Sequence, residues 1–210
     1  MHDHTLFWRE FRENFRTTGA ILPSGRRLSR ALARFVAEPS QRPRRILEVG
    51  PGTGAVTRRI APAMHADDRL DLVELNPEFV RWLHEQLRTC PLLAPKADRI
   101  CVMHSRVEDL PRDAGYDLII SGLPLNCFSV AEVETILQTF AELAQPDAVL
   151  SFFEYIGIRK LKGAVAGRAE RERLRGIEQV LKQLFAGREI RREAVWRNVP
   201  PAWVHHVRLS

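Results

Sequence analysis

The stretch RILEVGPGTG, residues 45–54, decides the fold of this chain. Its first half is rich in branched apolar residues and predicts a short buried strand. Its second half has a glycine at every other position, and glycine allows the backbone to turn sharply and approach a ligand because it has no Cβ. A helix is predicted to follow over about 53–63. A strand, a glycine-rich turn and a helix in this order predict a ligand-binding loop at the edge of a parallel sheet.

The spacing within this loop excludes two common phosphate-binding loops. A P-loop carries Lys and then Ser or Thr after its last glycine, whereas Ala55 and Val56 follow Gly54 here. The dinucleotide fingerprint G-x-G-x-x-G would need a glycine at position 55. The loop has an acidic residue instead, Glu48, two positions before Gly50. The loop therefore argues against triphosphate chemistry.

A second strand, LDLVEL at 70–75, supports a doubly wound sheet. It ends close to Glu74, which lies 20 residues after Gly54. In such sheets this position carries the carboxylate that binds a ribose. Strands are also predicted near 45–49, 99–104, 116–121 and 148–155, with helices near 53–63, 77–89 and 130–144. Strands that alternate with helices predict a parallel α/β sheet with helices on both faces.

The last third of the chain predicts a different arrangement. A charged helical stretch is expected over about 159–186, followed by two strands at Glu189–Arg197 and Trp203–Leu209. The turn residues between these strands predict a terminal hairpin. Five βα units followed by a hairpin resemble a known Rossmann-like sheet of seven strands whose last strand is antiparallel.

Length and composition limit the class of protein. The 210 residues fit one compact domain with an appendage, which we divide into an N-terminal helical segment at 1–40 and a main domain at 41–210. No apolar run reaches the ~20 residues of a membrane span, and the N-terminus lacks the apolar core of a signal peptide. We therefore expect a cytoplasmic protein that is not integral to the membrane.

Charge is distributed unevenly along the chain. The net charge is +6, but residues 46–158 hold nine basic and 17 acidic side chains, a net charge of −8. Both flanks are basic: residues 1–45 carry +6 and residues 159–210 carry +8. Basic flanks on an acidic body predict a polyanionic partner, either an anionic membrane surface or a nucleic acid.

The N-terminal segment favours the membrane. Its large aromatic residues recur at helical spacing, with arginine on the other side, which is typical of an amphipathic helix at the headgroup boundary of an anionic bilayer. The alternative is a helix that packs on the core of its own domain. The residues predicted to contact membrane or substrate are Phe7, Trp8, Phe11, Phe15, Arg12 and Arg16. A second basic helix is expected from about Ser24.

The acid before the glycines and the GPGTG turn resemble motif I of the class I S-adenosylmethionine (SAM)-dependent methyltransferases. This resemblance implies SAM as cofactor, S-adenosylhomocysteine as product and no metal. In that family the acid helps to hold the amino-acid end of the cofactor and the glycines make room for it. The residues that the resemblance assigns to the cofactor are Glu48, Gly50, Gly52, Thr53, Gly54, Glu74, Leu75, Arg106, Val107 and Ser121. Arg106 stands where the family often has an acid that meets the adenine.

A closer resemblance extends over nearly the whole chain. The segments RTTGAILPSGR at 16–26, GPGTG at 50–54, SGLPL at 121–125 and NVPPA at 198–202 resemble the bacterial phospholipid N-methyltransferases of the PmtA type. Members of that family are peripheral membrane proteins that methylate phosphatidylethanolamine towards phosphatidylcholine. The resemblance implies an amine-bearing lipid as substrate and the inner face of the cell membrane as location.

The chemistry implied by this resemblance needs little from the protein beyond positioning and a dry pocket. Backbone carbonyls of Ser121, Gly122, Leu123 and Pro124 are expected beneath the transferred methyl group, where they accept hydrogen bonds from the amine. Tyr155, at the end of the fifth predicted strand, is expected to orient the amine or a headgroup oxygen. A tight structural turn at 121–124 and a packed edge tyrosine are the alternatives.

The sequence also permits other functions. The same segments are shared more loosely with rRNA adenine dimethyltransferases, whose fourth motif is Asn-Leu-Pro-Tyr where this chain has Gly-Leu-Pro-Leu. Leu125 cannot stack on a flipped base as the aromatic of those enzymes does, although Phe128 lies nearby. Another aminolipid such as ornithine lipid is an alternative substrate. A protein of this fold that has lost catalysis and only binds membrane or RNA is a third reading, disfavoured by the intact loop and Glu74.

Overall fold

A computed structural model describes residues 25–113, 115–156, 167–198 and 200–209. The predicted N-terminal amphipathic helix lies outside this range. Within it are five α-helices: α1 Arg26–Leu32, α2 Thr57–Ala63, α3 Pro77–Thr89, α4 Val130–Leu143 and α5 Arg168–Phe185. The seven strands are β1 Arg45–Val49, β2 Arg69–Glu74, β3 Ile100–His104, β4 Tyr116–Ser121, β5 Ala144–Tyr155, β6 Glu189–Val195 and β7 Ala202–Arg208.

The strands form one sheet in the order β3-β2-β1-β4-β5-β7-β6. The first five strands are parallel, and β7 pairs antiparallel with both β5 and β6. The direction of strand order reverses between β1 and β4. In open α/β sheets ligands bind at this switch point, beyond the carboxyl ends of the strands. The predicted seven-stranded α/β fold, with its antiparallel last strand, is confirmed.

Helices cover both faces of the sheet because the strands are apolar on both sides. One face packs against α1, α2 and α3, and its fully buried side chains include Leu32, Ile46 and Leu72. The other face packs against α4 and α5 through residues such as Leu47, Phe140 and Leu181. Adjacent residues of β1 therefore contribute to different cores, as the period of two residues in a strand requires.

The described part of the predicted 1–40 segment belongs to the first of these cores. Leu28, Leu32 and Val36 are at most 1% exposed. The guanidinium of Arg44, which is itself buried, holds this part of the chain in place. It donates to the carbonyl of Val36 at 2.7 Å and to the carboxylate of Asp68 at 2.7 Å. The division at residue 40 stays a prediction, while α1 and the 3₁₀ turn after it pack on the sheet.

Two element starts differ by four residues from the sequence-based expectation. The helix predicted from residue 53 begins at Thr57, because the glycine turn continues to Gly54, which has φ +77°. Strand β5 begins at Ala144 instead of near 148, and its early part is irregular, with Asp147 at φ +63°. Among the described residues, no helix combines the length and apolar character that spanning a bilayer requires.

Candidate active site

A cleft opens at the carboxyl ends of β1, β2 and β3, on the side of the sheet that α4 covers. Its walls come from the ends of three strands, the loop after β4 and the start of α4. The lining residues are Val49, Gly50, Val73, Glu74, Leu75, Ser105, Arg106, Val107, Glu108, Leu123, Phe128, Glu132 and Ile136. The cleft therefore lies at the topological switch point.

The turn after β1 is fixed to its neighbours by backbone hydrogen bonds. Gly50, at φ +69°, donates its N–H to the carbonyl of Val73 in β2 at 2.9 Å. Gly52 has φ +55°, and a Cβ there would meet no heavy atom within 4 Å. Backbone at positive φ with open space beside it is the arrangement that lets a ligand approach the main chain closely. Gly52, Thr53 and Gly54 stand beside the cleft and do not line it.

Glu74, at the floor of the cleft, joins the turn after β1 to the end of β2. Its carboxylate accepts the N–H of Gly52 at 3.0 Å and that of Asn76 at 2.8 Å. Burial raises the pKa of Glu74, and these backbone donors oppose that rise. The carboxylate is therefore held at the end of β2, beside Leu75. This is the place where ribose hydroxyls are bound in doubly wound sheets.

Glu48 faces away from the cleft. Its side chain is 1% exposed, and it accepts the hydroxyl of Thr57 in α2 at 2.7 Å. Burial raises the pKa of Glu48 to about 8, with the Thr57 hydrogen bond acting in the opposite direction. The neutral form is favoured at pH 7 in this conformation. The contact predicted between Glu48 and the amino-acid end of the cofactor stays a prediction. The hydrogen bond that the structure shows joins Glu48 of β1 to Thr57 of α2.

The wall beyond β3 is partly charged. Arg106 and Glu108 both line the cleft and form an ion pair at 3.0 Å. The hydrogen bond with Glu108 raises the pKa of Arg106. Val107, between them, is buried and presents an apolar surface. The arginine that replaces the family's acid is thus paired with the carboxylate two residues later.

The loop after β4 packs directly against the glycine turn. Gly122 donates its N–H to the carbonyl of Val49 at 2.8 Å. A Cβ on Gly122 would lie 2.6 Å from the carbonyl oxygen of Gly50, so only glycine fits at this position. Ser121 is fully buried, and its hydroxyl accepts the N–H of Leu123 at 3.3 Å. Leu123 lines the cleft, whereas Ser121, Gly122 and the buried Pro124 lie behind it.

Arg173 of α5 is a residue that the sequence analysis missed. Its guanidinium donates to the carbonyl of Asn126 at 3.0 Å and to that of Phe128, while Glu170 pairs with it at 2.7 Å. Asn126 and Phe128 belong to the turn that follows the 121–124 loop. No local pattern distinguishes this arginine from the other charged residues of α5, because the two carbonyls that it binds lie more than 40 positions away.

Two cleft residues at the start of α4 were missed as well. Glu132 forms a capping box with Ser129, and Ile136 follows one turn later. The Ser-x-x-Glu spacing is a readable signal for the helix start. It does not indicate that the first turn faces a cleft, which depends on how α4 packs on the sheet.

Tyr155 does not line the cleft. It lies in the core against α1 to α3, with its ring 5.0 Å from that of Phe153 in an edge-on contact. Burial raises the pKa of Tyr155 to about 12, so the phenol stays protonated at neutral pH. Its predicted role in orienting the amine stays a prediction. The predicted membrane contacts at Phe7, Trp8, Phe11, Phe15, Arg12 and Arg16 lie outside the described residues.

Residues 46–147 match the family described as a methyltransferase domain. They contain the glycine turn, the Glu74 carboxylate and the loop after β4. This match identifies the stretch as a methyltransferase domain. Its cofactor is SAM, and the open glycine turn and the anchored carboxylate beside an apolar wall fit that molecule. Among the residues that the structure describes, no group of three or more His, Cys, Asp and Glu side chains could hold a metal ion.

Solved structures share the fold of this methyltransferase domain. The O-methyltransferase TomG from Streptomyces achromogenes, in complex with SAM, has a TM-score of 0.60 at 18% identity over 93% of this chain and 86% of that chain. The cofactor-bound protein Rv0187 from MTB has a TM-score of 0.63 at 20% identity, over 90% and 82% of the two chains. At these identities the likeness concerns the fold alone.

Curated relatives differ in their substrates. The ornithine lipid N-methyltransferase of Singulisphaera acidiphila is 32% identical over 134 residues, which are 61% of this chain and 65% of that protein. The ribosomal RNA small subunit methyltransferase A of Synechococcus elongatus is 28% identical over 125 residues, 55% of this chain and 41% of that protein. The chain thus spans less than two thirds of the length of either relative.

Proposed function

We propose that this protein is a SAM-dependent N-methyltransferase of the amine headgroup of a membrane lipid, acting on phosphatidylethanolamine towards phosphatidylcholine. The observation that carries the proposal is the loop after β4. It brings Leu123 to the cleft and buries Leu125 at 2% exposure. A small aliphatic amine needs only such positioning, whereas a nucleobase needs an aromatic platform.

Several residues of this chain suit the chemistry. SAM supplies a methyl group that is already activated for displacement by a neutral amine. Leu123, Phe128 and Ile136 give the cleft an apolar wall. A desolvated ammonium has a lowered pKa, so this wall favours the neutral amine that reacts. In this proposal the amine donates to the main chain of the 121–124 loop at Leu123, the residue of that loop that lines the cleft. The carbonyl of Pro124 already accepts from Cys127 at 2.8 Å, which holds the loop in place.

The relative with 32% identity acts on an ornithine lipid, and its match supports a lipid amine as the acceptor class. Ornithine lipid and phosphatidylethanolamine both present a primary amine on a diacyl anchor. The basic flanks of the chain support a substrate that sits in an anionic surface. We therefore place the protein at the cytoplasmic face of the membrane, bound peripherally.

An rRNA adenine methyltransferase is the second candidate function. Phe128 lines the cleft and could stack on a base, and a ribosomal RNA small subunit methyltransferase A matches this chain at 28% identity. The buried Leu125 argues against it, because this position holds the stacking aromatic in the adenine enzymes that the loop resembles.

Methyl transfer from labelled SAM separates these substrates. The purified protein is offered vesicles with phosphatidylethanolamine, vesicles with ornithine lipid, or undermethylated ribosomal RNA. Label extracted with phosphatidylethanolamine supports the proposal, and chromatography of the product counts the methyl groups. Label only in ornithine lipid would move the substrate to that lipid, and label in RNA would replace the proposal by the adenine enzyme.

A further inference from the structure

The tip of the β6–β7 hairpin carries an exposed cluster of tryptophan and arginine. We define the hairpin tip as Arg192, Trp196, Arg197 and Trp203. Trp196 is 65% exposed, the highest value among the exposed large apolar side chains of the described residues. Its ring lies 6.3 Å from that of Trp203 in an edge-on contact, and the guanidinium of Arg192 stacks 4.8 Å above the Trp203 ring. Arg197, next to Trp196, is exposed.

Strand direction places this tip at the edge of the sheet that holds the cleft. Strand β7 is antiparallel to both β5 and β6, so β6 runs in the same direction as β1 and β4. The register aligns Val195 of β6 with Ala202 and Ala202 with Tyr155, the last residue of β5. β6 is three strands from β4, a distance of about 14 Å at the usual strand spacing.

The tip is also tied to the start of α1. The side chain of Asn198 accepts the N–H of Gly25 at 3.1 Å and donates to the carbonyl of Pro200 at 2.7 Å. Asn198 is buried, so this contact is shielded from solvent. The aromatic and basic stretch that precedes Gly25 in the sequence therefore joins the fold beside the hairpin tip.

We infer that the hairpin tip is a membrane-docking surface that seats the cleft edge of the sheet on an anionic bilayer. Tryptophan and arginine are the residues that settle at the headgroup boundary, where the indole is buried and the guanidinium meets lipid phosphate. The C-terminal flank, at +8 over residues 159–210, complements the negative surface. This inference rests on the proposed lipid substrate and deepens it, because docking at this edge brings headgroups towards the cleft.

Sedimentation with vesicles tests the docking surface without any methyl transfer. The vesicles contain phosphatidylglycerol and phosphatidylcholine, so no primary or secondary amine is present as acceptor. We expect Trp196→Ser to partition roughly tenfold more weakly than the unchanged protein, because an interfacial indole is lost. Arg192→Gln with Arg197→Gln is expected to weaken binding to these vesicles and to leave binding to pure phosphatidylcholine unchanged.

Ile190 provides the matched control. It is 41% exposed on the same hairpin, but it lies at the amino end of β6, on the opposite edge of the sheet. Ile190→Ser is expected to partition like the unchanged protein, and thermal unfolding confirms that each variant is folded. Equal partitioning of Trp196→Ser and the unchanged protein overturns the inference. An equal loss of vesicle binding in Ile190→Ser also overturns it. The same holds if Trp196→Ser loses binding to ribosomal RNA while keeping its binding to vesicles.

The two proposals fail in distinguishable ways. Loss of methyl transfer to every lipid, with vesicle binding that depends on Trp196, overturns the proposed lipid substrate and leaves the docking surface supported. Methyl transfer to phosphatidylethanolamine, with vesicle binding that is indifferent to Trp196, supports the substrate and overturns the docking surface.

Discussion

The backbone N–H of Gly52 donates to Oε2 of Glu74 at 3.0 Å, so one carboxylate joins the turn after β1 to the end of β2. The other carboxylate oxygen accepts the N–H of Asn76 at 2.8 Å. Two main-chain donors thus fix the acid before any ligand arrives. Preorganisation of this kind lowers the cost of ordering a side chain on binding.

Replacing Glu74 should weaken SAM binding without unfolding the protein. In Glu74→Ala we expect a Kd at least about tenfold higher, since hydrogen bonds to a charged group contribute about 1.5–3 kcal/mol. Isothermal titration with SAM measures the change. Glu78→Ala, an exposed acid in the first turn of α3, serves as the control and should bind normally. An unchanged Kd in Glu74→Ala would refute the placement of the ribose at the end of β2.

Gly122→Ala should destabilise the fold and disturb the glycine turn. The new Cβ would lie 2.6 Å from the carbonyl oxygen of Gly50, a backbone atom that cannot move independently. Overpacking of this kind costs about 1–3 kcal/mol in the free energy of unfolding. Urea denaturation measures it, with Gly167→Ala as control because a Cβ there meets nothing within 4 Å. Equal stability of both variants would contradict the tight contact between the two loops.

Glu48 should make stability fall as the pH rises. The carboxyl has a pKa of 4.5 when free and of about 8 when folded, so between these values the folded protein binds more protons than the unfolded chain. Over this window the free energy of unfolding should decrease by up to about 1.4 kcal/mol per pH unit through this group. Below pH 4.5 its contribution is fully present.

Glu48→Gln tests this dependence because its amide oxygen still accepts the hydroxyl of Thr57. We expect the variant to lose less stability than the unchanged protein between pH 5 and pH 8 in urea unfolding. Parallel pH curves for the two proteins would show that Glu48 does not titrate inside the fold.

Arg173 should act as a positioning residue for the turn after the 121–124 loop. In Arg173→Met the alkyl stem remains but the donors to Asn126 and Phe128 are lost. We expect faster amide hydrogen exchange over 125–128 and a roughly tenfold lower kcat for methyl transfer, with SAM affinity retained. Arg168→Met on the same helix is the control, because Arg168 pairs with Glu172 and not with the loop. Unchanged exchange over 125–128 would refute the role.

The N-terminal aromatic residues should contribute to membrane binding separately from the hairpin tip. We expect the replacement of Phe7, Trp8 and Phe11 by Ser to abolish sedimentation with anionic vesicles while SAM binding in solution is preserved. Cosedimentation and SAM titration of the same preparation measure both properties. Undiminished sedimentation would remove the membrane role from this segment.

Most of the fold could be predicted because its signals are local. The run RILEV predicts both ends of β1 correctly. The predicted helix at 77–89 coincides with α3, which begins at a proline after an asparagine cap. The early start of β5 could not be predicted, because Gln145, Pro146 and Asp147 are polar or turn-forming residues. They join the strand through pairing of Ala144 with Tyr116, a contact across the sheet.

The candidate site was predictable only where a short motif carries it. Gly50 and Glu74, which belong to such motifs, line the cleft, and their cofactor contacts stay predictions. Arg173 contacts the loop beside the cleft from a helix distant in sequence. For Glu48, the direction of the side chain could not be predicted. Its motif position says nothing of whether the carboxylate turns towards a ligand or towards Thr57, because this depends on the packing of α2 against β1.

The bond between Gly25 and Asn198 has a consequence for how strongly the protein would hold a surface. It fixes the departure point of the N-terminal segment next to the hairpin tip. Once either of these two proposed membrane elements has made contact, the other is confined close to the same surface. The second contact then forms at the high effective concentration of an intramolecular event. Two contacts that are weak alone would thereby act as one bivalent anchor. Asn198→Ala, which removes the hydrogen bond to Gly25, would reduce avidity without removing either contact.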